Sequence, residues 1–287
     1  MTAGTDATRR LPSSKGLLQP EEFARHVRFD EVPASGPAGD WVERVWSATW
    51  DLPDGVNVTT SLIPHPAVEI SVERGQLARA GRNRDGIWLT GVVTRRFDVT
   101  QFGRGGVLGL KFRPGGFTAW SGLPADELTD RVEPAAERLP GMNPLGDLPL
   151  AASESASAML EVIVAGAGAA EPIPATVDNV LTLLASPTVT RVDQLAECCG
   201  CSARTLQRTV RRYIGVTPKW LIRRQRMHDA LAALDGGTSE SLAELAARLG
   251  WYDQNQFGRD FVRLVGVTAS AYRARRRNSP TTDRNES

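Results

Sequence analysis

The strongest constraint on this 287-residue chain is an internal repeat in its C-terminal part. The stretch VDQLAECCGCSARTLQRTVRRYIGVTPKWL aligns with the later stretch LAELAARLGWYDQNQFGRDFVRLVGVTASAY. Leu195 and Ala196 match Leu245 and Ala246, Gly200 matches Gly250, Leu206 matches Phe257, Arg208 matches Arg259, and Val210 matches Phe261. Gly215-Val216-Thr217 matches Gly266-Val267-Thr268, so the buried positions, the turn glycine and the exit turn all recur about 51 residues apart. Chance seldom keeps so many roles in step, and two copies of one supersecondary unit imply one structural solution used twice. Each copy reads as a short helix, a tight glycine-containing turn and a longer helix opened by a capping side chain, Ser202 or Asp253. That is the grammar of a helix-turn-helix. Periodicity predicts seven helices, over residues 176–185, 191–198, 203–213, 218–233, 241–249, 254–264 and 269–276.

The second helix of each copy sorts its residues by face. Leu206, Val210 and Ile214 recur at helical spacing and should face inward, as should Phe257, Phe261 and Leu264. The other face carries Arg204, Gln207, Arg208, Arg211 and Arg212 in the first copy and Gln254, Asn255, Gln256 and Arg259 in the second. Arginine pairs bidentately with guanine, and glutamine or asparagine with adenine, so both faces display chemistry that reads a major groove. A plain solvated face explains a single such helix equally well; duplication and charge weigh against it here. Residues 1–172 hold 17 basic and 22 acidic side chains, net −5, whereas residues 173–287 hold 17 and 11, net +6. All but one of those 17 are arginine, the side chain whose planar fork suits phosphate and base edges, and double-stranded DNA is the expected partner. The intervening helix, about 16 residues or roughly 24 Å long, can hold two such helices about one DNA turn apart, roughly 34 Å.

On these residues the chain resembles the AraC/XylS family of transcriptional regulators over residues 176–277. Trp251, Phe257, Arg259, Phe261, Gly266, Tyr272 and Arg273 occupy places of the family signature, while Ala269 stands where proline is usual. Alanine is acceptable at a first helical position, so this departure bears on local rigidity only. The resemblance implies base reading by Arg204, Gln207 and Arg208 in the first helix and Gln254, Asn255 and Arg259 in the second. Gln256 joins this DNA-binding set, and Thr205 and Arg212 are expected on phosphates. RNA polymerase is the activation partner such a regulator would contact.

The first half has a different texture. Short apolar runs around residues 68–72, from 87 and over 107–112 are separated by Gly, Pro, Asn and Asp. They predict an antiparallel sheet or barrel. Segments GVVTRRF and LGLKFRPGGF resemble the N-terminal domain of some AraC-like proteins, which implies a cupin-like β-barrel that senses an effector or forms a homodimer. The expected fold class is therefore two-domain α+β, an N-terminal antiparallel cupin-like barrel before an all-α tandem helix-turn-helix. Expected boundaries are a flexible leader 1–20, a barrel domain with terminal helices 21–165, a linker 166–175, the DNA-binding domain 176–277 and a disordered tail 278–287.

Other features point away from chemistry. His26 and His65 are the first half's histidines, too few and too far apart for a metal cupin, and His65 between two prolines reads as a turn residue. Cys198, Cys199 and Cys201 lack the spacing of a zinc or redox pair and fit packing roles or, less readily, thiol sensing. The GRGG and RPGG runs lack the setting of a phosphate loop. Trp41, Trp46, Trp50, Trp88, Phe102, Phe112, Phe117 and Trp120 are candidates to line an effector cavity, against the plainer expectation of core filling. The expectation is a cytoplasmic DNA-binding regulator with no cofactor, metal, catalytic residue or membrane span. A small-molecule effector is allowed but has no assigned residues. A DNA-targeted enzyme or repair protein and a protein-binding adaptor are the competing classes.

Overall fold

A computed structural model describes residues 17–79, 85–185 and 189–278; the expected leader and tail lie almost wholly outside these. The first half opens with α1 (Pro20–His26) and β1 (Val27–Pro33), followed by β2 (Val42–Asp51), β3 (Asn57–Leu62), β4 (Glu69–Arg79), β5 (Gly86–Thr90) and β6 (Phe97–Phe112). After β6 come α2 (Gly116–Ser121), β7 (Val132–Pro134) and α3 (Ala152–Ala165). The strands form one antiparallel sheet in the order β1-β2-β6-β4-β5-β7, with β3 joined to the other end of the 16-residue β6.

This sheet is open, which corrects the expectation of a closed cupin-like barrel. Among the described residues strand β1 pairs with β2 alone and β7 with β5 alone, so the two outer strands of the path do not meet. Alternating apolar residues report that a strand buries one face, which an open sheet and a barrel do equally. Closure is a property of the edges, and α3 packs beside β1 and β2 instead. Residues 40–53, whose apolar spacing suits a helix as well as a strand, contain β2, and the mostly polar segment 126–139 contains the short β7.

Strand register assigns the two faces. Val45, Leu110 and Ile70 sit on three paired strands of one face, wholly buried, and pack with Phe112, Met159 and Ile163 beneath α2 and α3. One residue along, Arg44, Lys111 and Glu69 form a polar row on the opposite face.

The second half contains α4 (Ala175–Leu184), α5 (Val192–Cys198), α6 (Ala203–Ile214), α7 (Pro218–Asp235), α8 (Leu242–Arg248), α9 (Gln254–Val265) and α10 (Ala269–Asn278). All seven expected helices are present, with ends within two residues of the sequence reading. Two cores form, one per repeat, around Leu195, Leu206 and Val210 and around Leu245, Phe257 and Phe261. The sheet half reaches into both: Val92 lies in the first core, Leu18 and Ile63 in the second.

Candidate nucleic-acid interface

Helices α6 and α9 are built alike from their caps inward. Ser202 Oγ accepts the Thr205 N–H at 3.1 Å and Asp253 Oδ1 accepts the Gln256 N–H at 2.6 Å, satisfying donors that a helix start leaves free. Both helices end on a glycine in the left-handed region, Gly215 at φ 91° and Gly266 at φ 84°, where a side chain would be strained. Between the caps, Leu206, Val210 and Ile214 of α6 and Phe257, Phe261 and Leu264 of α9 are buried.

Arg204, Gln207, Arg208 and Arg212 are exposed on α6 and Gln254, Asn255 and Arg259 on α9. Three expected residues have further commitments. Thr205 is half-buried, its hydroxyl 3.0 Å from Ser202 Oγ, and Gln256 Oε1 accepts the Tyr252 N–H at 3.2 Å. Arg212 donates through Nη2 to the Gly122 carbonyl of the sheet half at 3.3 Å. Sequence reasoning missed Tyr252, which is 94% exposed just before α9. The signal was an aromatic pair in which Trp251 filled the expected inward place, leaving its neighbour free.

The two repeats are fixed to each other through α7. Arg223 of α7 bonds both carboxylate oxygens of the buried Asp260 in α9, at 3.2 and 2.7 Å. Arg226, one turn on, donates to the Thr190 carbonyl of the first repeat at 2.7 Å and lies 6.0 Å from the Trp251 ring centroid of the second. The spacer is 18 residues, about 27 Å at 1.5 Å per residue.

The sheet half touches both repeats at equivalent points. Thr129 Oγ1 donates to the Gly215 carbonyl, and a side chain at Gly266 would run into the Arg96 guanidinium. The α6 backbone is also held by Thr118, whose hydroxyl donates to the Arg212 carbonyl at 3.1 Å. A groove beside α6 is lined by Arg204, Gln207 and Arg208 and by Pro124, Asp126 and Glu127 of the sheet half, with Glu127 paired to Arg138 at 3.0 Å. Of the cysteines, Cys199 is half-buried and burial pushes its thiol up, away from a reactive thiolate.

Residues 195–275 match a helix-turn-helix domain family, and residues 30–134 match a domain of unknown function, DUF6597. The DNA-binding domain of AdpA, a global transcriptional factor solved in complex with a target DNA, is 31% identical to this chain. That likeness covers 36% of this chain and 92% of AdpA's domain, with a TM-score of 0.33. The chain belongs to the AraC/XylS-type helix-turn-helix regulators. An AraC-type regulator from Chromobacterium violaceum is similar at 23% identity over 37% of this chain and 96% of its own, TM-score 0.33. ToxT from Vibrio cholerae is similar at 12% identity over 80% of this chain and 97% of its own, TM-score 0.39. No curated protein matches. As an AraC-type protein the chain is a sequence-specific DNA-binding transcription regulator, and its likeness is to regulators rather than to enzymes. Among the described residues no helix is long and apolar enough to cross a membrane.

Proposed function

We propose that this regulator reads two successive major grooves of one DNA duplex, α6 in one and α9 in the next. The observation that carries this reading is the matched construction of the two helices, with equivalent caps and buried residues leaving an Arg/Gln face outward on each. Arg204, Gln207 and Arg208, and Gln254, Asn255 and Arg259, are the base-reading side chains. Thr205 and Arg212 contact phosphates, and Gln256 supports the start of α9. Tyr252 adds an exposed aromatic edge at the entrance to the second groove. The rigid α7 connection through Arg223 and Arg226 sets the separation of the two readings.

The sheet half modulates this binding. Asp126 and Glu127 occupy space and charge beside α6 that a DNA backbone would require, so the first reader is screened in this arrangement. Selection of bound sequences from a random DNA pool, run on the wild type and on Arg208→Ala and Arg259→Ala, tests the assignment. Each variant should lose preference at a different small set of bases, at about 1–3 kcal/mol per lost bidentate contact. Variants that recover the unchanged wild-type motif overturn it.

A further inference from the structure

The polar row on the sheet opens into a cavity of about 230 Å³ lined by residues of the sheet half. Its floor is an aromatic shelf. The Trp46 indole lies flat across Gly109 on the neighbouring strand, where even a methyl group would collide with the ring, and Phe29 stacks beside it at 6.1 Å between centroids. Two residues along the same strands, on the same face, come Arg44 and Lys111. The ring end and the charged end of the cavity are therefore about 7 Å apart.

The charged end is incompletely satisfied. Arg44 pairs through Nη1 with Glu31 at 3.3 Å and Glu43 at 3.4 Å, but its Nε and His65 Nδ1 are buried without a hydrogen-bond partner among the described residues. Among the described residues Lys111 reaches Glu43 alone, at 3.3 and 3.5 Å. Burial, with Lys111, Arg224 and Arg44 nearby, holds the His65 imidazole well below its usual range, so it is neutral at pH 7. Burial raises the Glu69 carboxyl, which weakens its service as a counter-charge. Deeper in the cavity Arg79 and Glu73 neutralise each other as a buried pair. Buried donors and cations without full partners are costly unless something accepts from them.

The strap that follows β5 connects this cavity to the DNA reader. Residues 91–96 make no strand ladder, yet alternate sides. Gly91, Val93 and Phe97 line the cavity. Val92, on the other side, is wholly buried in the core of the first repeat, the Thr94 carbonyl accepts the Trp220 indole N–H of α7 at 3.3 Å, and Arg96 lies against Gly266 at the end of α9. Thr94 is itself pinned by Asp130, which accepts its N–H and its hydroxyl at 2.7 Å each. Arg224 of α7 donates to the carbonyl of Pro64, a residue that lines the cavity, at 2.5 Å.

We propose that this cavity binds a small, flat organic acid, its ring on the Trp46 shelf and its carboxylate taken by Lys111, Arg44 and His65, and that strap 91–97 transmits occupancy to both DNA-reading repeats. The proposal rests on the two-groove reading only for its second clause; the binding clause stands independently. Transmission requires that the ligand favour one setting of the strap over another, and coupling of this kind ordinarily changes affinity between about 5-fold and 150-fold.

The test uses the full-length protein and three matched probes, cinnamate, cinnamyl alcohol and cinnamylamine, followed by calorimetry. Cinnamate should bind at least tenfold more tightly than the alcohol, and the amine more weakly than either. Lys111→Met should abolish the preference for the acid, and Arg44→Gln, at a half-exposed position, provides the same comparison should Lys111→Met fail to fold. DNA affinity is measured separately with and without saturating cinnamate. A shift of fivefold or more is expected in the wild type, and Thr94→Val with Asp130→Ala should keep cinnamate binding while losing most of that shift. Equal binding of acid and alcohol, or no binding of any probe, overturns the ligand assignment. Binding of cinnamate with unchanged DNA affinity overturns the role of the strap, while unliganded protein that fails to select any DNA sequence overturns the two-groove reading instead.

Discussion

Arg223 grips Asp260 with both arms of its guanidinium, at 3.2 and 2.7 Å, while the Trp251 indole N–H closes on the same carboxylate at 3.1 Å. One carboxylate thus fastens the spacer helix, the turn and the second reading helix. Asp260 is 8% exposed, so removing it leaves the buried Trp251 indole N–H without its acceptor and the half-buried Arg223 without its ion-pair partner. Asp260→Ala should cost about 2 kcal/mol, measured by urea denaturation, and Asp260→Asn less because it keeps the shape. An alanine variant as stable as the wild type would mean that this connection does not fix α9 to α7.

The carboxylates beside α6 give a prediction of opposite sign. Asp126→Ala combined with Glu127→Ala leaves every proposed DNA contact intact, removes two negative charges from the groove beside Arg204 and Arg208, and frees Arg138 from its pair with Glu127. DNA affinity at low salt should rise about threefold to tenfold, from about 1 kcal/mol of relieved repulsion, and the gain should fade as salt screens it. Unchanged affinity, measured by fluorescence anisotropy, would show that the sheet half does not screen the first reader.

How legible this architecture was depends on the range of the interactions. The reading helices could be placed within two residues because caps, periodicity and exit glycines are local and written twice, as Leu206 and Phe257 or Gly215 and Gly266 illustrate. Val107 to Phe112 alternates as a strand must, but nothing in that alternation states whether β1 pairs with a distant edge, and the barrel expectation failed there. The cavity was harder still. Trp46 was one of eight aromatic candidates, and what singles it out is Gly109, more than 60 residues away in sequence and directly beneath it. His65 looked like a turn residue between prolines; it follows β3 as expected of a loop, but long-range packing encloses it next to Lys111 and Arg224.

Alkaline pH should loosen the C-terminal helix. The Tyr272 hydroxyl donates to Asp235 Oδ1 at 2.9 Å, and burial, with the Asp235 charge adding to it, pushes its ionisation up to about 12. An unfolded tyrosine ionises near 10. The folded state therefore favours the protonated phenol, a contribution fully present below about pH 10 and lost as pH rises toward 12. Unfolding free energy measured from pH 9 to 11 should fall more steeply in the wild type than in Tyr272→Phe, which has no phenol to titrate. Parallel profiles would contradict this assignment.

One chain that reads two grooves through two equivalent helices held at a fixed separation must leave that spacing in the DNA it selects. Selection of DNA sequences by the full-length wild-type protein, followed by footprinting of the selected sites, measures it. The selected sites should carry a bipartite motif whose halves are centred about 10–10.5 base pairs apart on one side of the duplex, with Arg208→Ala erasing preference in one half and Arg259→Ala in the other. A single short motif indifferent to one of these arginines, or two halves at variable spacing, would contradict it.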